Sequence, residues 1–184
     1  MKSNIASDWE VGFFVGPREG LVLTGNLARR NTGVGGGGAF DLVYPLSGGV
    51  VTKNTAIANW SPGFQIWDAS VAFTFSKNTA LGNDIGVEVR ALGGAVTLSK
   101  NNLFGNGDRG AGANCGLYID NVSGSAPLTV NATGNFWGAA TGPGANPADL
   151  AGGAGCSWDS GGGITLTTAP VATTKQPLYP PKMK

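Results

Sequence analysis

An asparagine returns through this chain at close intervals, each time at the same point of a short local pattern. It ends the tripeptides Thr24-Gly25-Asn26, Thr52-Lys53-Asn54, Ser76-Lys77-Asn78, Ser99-Lys100-Asn101 and Thr133-Gly134-Asn135, at steps of 28, 24, 23 and 34 residues. A second asparagine follows five residues later in four copies, at Asn31, Asn59, Asn83 and Asn106. A period of roughly 20 to 50 residues marks a chain made of stacked units, none of which can bury its apolar face alone.

Each unit carries a short alternating strand candidate: Gly12-Phe13-Phe14-Val15, Ala39-Phe40-Asp41-Leu42-Val43, Gly63-Phe64-Gln65-Ile66-Trp67, Gly86-Val87-Glu88-Val89-Arg90 and Gly116-Leu117-Tyr118-Ile119-Asp120. Side chains alternate between the two faces of a strand. One face therefore collects Phe13, Phe40, Phe64, Val87 and Leu117 in one column and Val15, Leu42, Ile66, Val89 and Ile119 in the next, and all ten are apolar. The strand before each asparagine behaves alike, with Leu23, Val51, Phe75, Leu98 and Ala132 inward and Thr24, Thr52, Ser76, Ser99 and Thr133 outward. Columns that keep phase from copy to copy require like residues to stack on like, about 4.8 Å apart, as successive coils of a solenoid. A β-sandwich needs no such phase. The recurrent asparagine is expected to take the left-handed backbone geometry of a tight bend and to bond its amide to the asparagines above and below.

Composition agrees. With 32 glycines, 12% charged residues and no histidine, the chain is poor in helix formers and rich in turn residues. A net charge of +1 gives no electrostatic case for nucleic acid or an anionic membrane, both of which call for clustered Lys and Arg. No apolar run approaches the roughly 18 residues of a membrane span, so membrane insertion is not expected. The opening MKSNIASDWE holds no apolar segment that reads as a signal peptide.

The run of Gly-led strands, Ser-Lys-Asn steps and paired asparagines resembles the right-handed parallel β-helix repeat of the pectate-lyase-like superfamily, over residues 1 to about 138. The segment Gly134-Asn135-Phe136-Trp137-Gly138, with Thr141-Gly142-Pro143 after it, resembles the N-W-W-G and T-G-P ending of many bacterial proteins of that type, with Phe136 where tryptophan is usual. The resemblance implies an all-β, right-handed parallel β-helix of about five coils over 1–138, closed by a cap and a Gly/Pro-rich tail over 139–184. Lys2-Ser3-Asn4 fits the Ser-Lys-Asn step, so the chain is expected to start inside a coil, as the C-terminal part of a longer, exported protein found outside the cell or on its surface. An uncapped first coil would expose a strand edge open to self-association. Cys115 and Cys156 are either a disulfide or two free thiols; the disulfide is favoured, because a tail folded back over the last coil would bring them together.

In families of this kind substrates usually lie along the outer face of the Gly-led strand. The resemblance therefore points to two outward columns, Phe14, Asp41, Gln65, Glu88 and Tyr118, then Gly16, Val43, Trp67, Arg90 and Asp120. Aromatic rings stack on sugar faces while carboxylates, amides and guanidinium bond hydroxyls, so Asp41, Gln65, Trp67, Tyr118 and Asp120 are substrate-binding candidates. The competing reading is a solvated sheet with an Arg90 to Asp120 ion pair. For catalysis the candidates are Glu88, paired with Asp41 or Asp84 as in a glycosidase, and Arg90, Lys77 or Lys100 as the base of a lyase. Lys53 shares the repeat position of Lys77 and Lys100, which equally suits a solvated turn. No cofactor is expected; calcium would accompany a lyase, with Asp84, Glu88 and Asp108 the nearest to a ligand set. Neither the Asp-Asp, Gly-His-Gly and Arg-Ile-Lys set of polygalacturonases nor the histidine of mannuronan epimerases is present. Three functions stay open: a carbohydrate-interacting or structural β-helix domain without a complete catalytic set, a lyase or hydrolase fragment acting on acidic polysaccharide, and a stalk that binds nothing small.

Overall fold

The computed structural model describes residues 1–17, 19–33, 36–43, 48–67, 73–91, 93–107, 114–121, 126–152, 156 and 163–179. Apolar residues at every second position, bounded by glycine and asparagine, form short strands that lie in three parallel sheets. The first sheet holds β1 (Ile5–Ser7), β4 (Leu27–Arg29), β7 (Thr55–Ile57), β10 (Thr79–Leu81) and β13 (Asn102–Phe104). The second holds β2 (Phe13–Val15), β5 (Phe40–Val43), β8 (Phe64–Trp67), β11 (Val87–Ala91), β14 (Cys115–Asn121) and β16 (Leu150–Ala151). The third holds β3 (Val22–Thr24), β6 (Val50–Thr52), β9 (Thr74–Ser76), β12 (Gly94–Ser99), β15 (Leu128–Asn131) and β17 (Ile164–Thr167). The chain visits the three sheets in turn and then steps one rung along, which makes the all-β parallel solenoid that the repeat predicts. No helix among the described residues is long and apolar enough to cross a membrane.

Register follows the repeat residue for residue. Phe13, Phe40 and Phe64 pair in sequence and their rings stack, with centroids 4.8 and 4.7 Å apart. Both predicted inward columns line one continuous core, joined by Leu23, Val51, Phe75 and Leu98 of the third sheet. Each stacked aromatic pair adds about 1 kcal/mol beyond the area it buries. Glycine leads four of the five repeat strands of the second sheet, with Ala39 in the other, because coils approach closely there. A Cβ on Gly63 would sit 2.9 Å from the Gly86 carbonyl oxygen and 2.8 Å from the Asn83 amide nitrogen.

The asparagines form two internal ladders. Asn4, Asn26, Asn54, Asn78, Asn101 and Asn135 make the first, each Oδ1 accepting the backbone N–H of the preceding asparagine in the stack. Asn31, Asn59, Asn83 and Asn106 make the second, and Asp149 closes it by accepting the Asn106 backbone N–H and side-chain amide. The bend itself falls elsewhere than expected. None of these asparagines has positive φ; the residue before each does, with Ser3, Gly25, Lys53, Lys77, Lys100 and Gly134 between 55° and 69° at one corner. Asp8, Arg30, Ala58, Gly82 and Gly105 do the same at the other. Asparagine must aim its amide inward along the stack, so the left-handed turn passes to the residue whose side chain points to solvent.

From residue 139 the chain adds β16 to the second sheet and β17 to the third. Trp137 is fully buried at the base of the stack, beside Gly116. Cys115 and Cys156 form a disulfide, which ties the start of β14 to this closing segment.

Candidate functional site

The second sheet carries the polar outer columns in the expected order. Asp41 pairs with Gln65, Gln65 with Glu88 and Glu88 with Tyr118, while Trp67 pairs with Arg90 and Arg90 with Asp120. Their environment differs from the open face that alternation implies. Asp41, Gln65, Glu88 and Asp120 are all less than a tenth exposed. Gly37 and Gly38 approach the first two of these residues closely. A Cβ on Gly38 would lie 2.9 Å from the Gln65 Cβ, and one on Gly37 3.3 Å from Asp41 Oδ2. Only bare backbone fits there, against Asp41 and Gln65.

Burial sets the electrostatics. The Asp41 carboxyl is pushed above its ordinary value by loss of solvent, partly opposed by a hydrogen bond with Trp67. Glu88 is raised mainly by burial; Arg90 and the Gln65 amide pull it down, and Asp120 and Asp41 push it further up. Tyr118 is raised by burial and by the negative charges of Asp120 and Glu88. Gln65 Nε2 donates to Glu88 Oε2 at 2.8 Å. The Arg90 Nε lies 3.3 Å from Asp120 Oδ2 and 3.8 Å from Glu88 Oε1. Its guanidinium carbon also stands 4.3 Å from the centre of a Trp67 ring, a cation-π contact. Arg90 and Trp67 thus spend on each other and on Asp120 much of what they could offer a ligand.

Beside these columns runs a cleft of about 350 Å³. Gln65, Glu88 and Arg90 line it together with Trp60, Ser61, Asp84 and the glycines Gly33, Gly36 and Gly37. Trp60 is 57% exposed. Three polar atoms here are buried without a hydrogen-bond partner: Ser61 Oγ, Gln65 Oε1 and Arg90 Nε; Asp41 Oδ1, behind them, is a fourth. Native interiors leave few such atoms, and a group of them along one cleft is unspent binding capacity. A larger hollow of about 630 Å³ at the edge of the first coil is lined by Met1, Phe14, Pro17 and Leu21 among others and lacks this convergence of polar groups.

Lys77 and Lys100 lie at the corner between the third and first sheets, away from the sheet that bears Glu88, and neither lines the cleft. Asp84 and Glu88 share the cleft, whereas Asp108 lies outside the described residues. Among the described residues no group of three or more His, Cys, Asp or Glu stands together. Sequence reasoning passed over Trp60, Ser61 and the glycine run. The signal was there: Trp60 follows the ladder residue Asn59 directly, as Asp84 follows Asn83, and GVGGGG is too glycine-rich for an idle loop.

The family described as right handed beta helix region matches residues 1–133 of the chain. Neither a curated protein nor a solved structure matches it.

Proposed function

Since the chain belongs to the right handed beta helix family, we propose that it is the carbohydrate-interacting β-helix domain of an exported protein, with the cleft beside β8 and β11 as its glycan site. The observation that carries this reading is one exposed indole, Trp60, lining the same cleft as Gln65, Glu88 and Arg90, where Ser61 Oγ, Gln65 Oε1 and Arg90 Nε are buried without a hydrogen-bond partner. A ring for the apolar face of a sugar beside polar atoms for its hydroxyls is the recurrent chemistry of sugar sites. The Cys115–Cys156 disulfide supports an oxidising setting outside the cytosol.

A hydrolase is the second reading, and one observation favours it. Glu88 is a buried carboxyl with raised pKa, the condition of a general acid, and Asp84 lines the same cleft as a second carboxylate. The lyase version has less support, because Lys77 and Lys100 stand at another corner.

Calorimetric titration with neutral, acidic and amino oligosaccharides tests the first reading. Binding that falls about tenfold or more in Trp60→Ala supports it; a folded protein that takes up no oligosaccharide ends it. Release of reducing ends, lost in Glu88→Gln, would promote the hydrolase, and a rise in absorbance from unsaturated uronate, with or without calcium, would restore the lyase.

A further inference from the structure

The cleft is not neutral in what it offers. Asp84 and Glu88 line it, with Asp41 and Asp120 close enough to act on Glu88 through their charge. The one cation of the lining, Arg90, is already engaged by Asp120 at 3.3 Å and by the Trp67 ring at 4.3 Å. Gln65, which lines the cleft, is 3% exposed; its Nε2 donates to Glu88 and its Oε1 is an acceptor without a partner. Ser61 Oγ, 5% exposed and also without a partner, can donate or accept, and Arg90 Nε, a donor without a hydrogen bond, is held in the ion pair with Asp120. A ligand that meets Gln65 Oε1 beside the Glu88 carboxylate brings hydrogen-bond donors, and positive charge answers the surplus of carboxylates.

We infer that the cleft selects a sugar unit bearing a protonated amine, such as a 2-amino-2-deoxyhexose of a deacetylated glycan, with the ammonium against Gln65 Oε1 and Glu88 and a ring face on Trp60. This inference rests on the glycan reading above and narrows it to a substrate class. An ammonium supplies three donors and no acceptor, the complement of an amide oxygen beside a carboxylate. Charge-assisted bonds of this kind run at about twice the strength of neutral ones. It also counters the burial that works against ionised Glu88, whereas a uronate carboxylate would add a further negative charge to that site. Arg90, the one cation of the lining, already stands against Asp120 and the Trp67 ring, so a uronate would have to compete with both.

The test is calorimetric titration of the full chain with three oligomers of equal length, built from glucosamine, glucose and galacturonate, the last with and without calcium. Glucosamine oligomer is expected to bind about tenfold or more tighter than glucose oligomer, and Glu88→Gln is expected to erase most of that difference while the circular dichroism stays unchanged. Equal affinity for glucose and glucosamine oligomers, tighter binding of galacturonate, or a preference for glucosamine that survives Glu88→Gln would each overturn the amine selectivity and leave the glycan reading standing. Should no oligomer bind to the folded protein, the glycan reading fails and this inference with it.

Discussion

The asparagine ladders and the cleft are both polar, both buried and only one strand apart along each coil, yet they are built on opposite rules. In the ladder each asparagine oxygen from Asn26 to Asn135 accepts from the coil before it. Asn54 accepts two N–H groups of Asn26, donates its amide to the Leu23 carbonyl and to Asn78, and is 1% exposed. In the cleft Gln65 makes one side-chain bond and leaves its oxygen idle, and burial holds Glu88 and Asp41 above their ordinary carboxylate values. A satisfied network holds coils in phase; an incompletely satisfied one beside an exposed indole costs stability, and the proposed glycan site is where that cost would be offset.

The contrast is most sharply broken at its strong side. Asn78→Ala leaves the Asn54 N–H and the Val51 carbonyl without their partners inside the stack, so a loss of roughly 4 kcal/mol is expected in a denaturant melt. A loss under about 1 kcal/mol would mean that the ladder is ornamental. Next comes the disulfide, which closes a separation of 41 residues. Replacing both Cys115 and Cys156 by serine is expected to cost about 3 kcal/mol, read from the same melt, through the freedom returned to the unfolded chain.

A smaller effect separates the corner lysines from the cleft. Lys77 holds a φ of 58°, which a β-branched residue adopts only with strain, so Lys77→Val should lose about 1 to 2 kcal/mol while Lys77→Gly stays within about 0.5 kcal/mol. Neither should alter oligosaccharide binding. Loss of binding in Lys77→Gly, with stability intact, would return that lysine to the functional set.

The least in size, and the most telling, is the response to pH. Asp41 and Glu88 carry raised folded values, so between the ordinary carboxylate range and those values the folded state holds more protons than the unfolded one. Stability therefore falls as pH rises through that window. Asp8 has the opposite sign: its hydrogen bond with Arg30 lowers it from 3.8 to about 2, and what it contributes is lost as pH falls between those values. Glu88→Gln and Asp41→Asn together should flatten the descent on the neutral side and raise stability near pH 7 by less than about 1 kcal/mol. A pH profile unchanged by the pair would show that neither carboxyl is held under strain.

Much of the fold was legible because a solenoid writes the same instruction once per coil. The ten inward positions of the Gly-led strands, the paired asparagines and even Asn4 at the start of the first ladder follow from phase alone, since parallel stacking must set like on like. Phase failed where coils differ. The left-handed turn sits on Lys53, Lys77 and Lys100 instead of on the asparagines, because one residue cannot both make the bend and aim its amide along the stack. The site was legible only as two columns. Asp41, Gln65, Glu88 and Arg90 stand in register as the alternation requires, but their burial does not follow from alternation.

The sequence by itself determined the coil: its strands, its inward columns, its register and the ladder that holds it, because each depends on near neighbours in the repeat. Only the tertiary structure decided that Gly37 and Gly38 lie close against Asp41 and Gln65, that Trp60 and Asp84 line one cleft with Glu88, and that Arg90 stands between Asp120 and the Trp67 ring. Those facts belong to the irregular segments between coils, whose paths are set by contacts made in space and by no period in the chain.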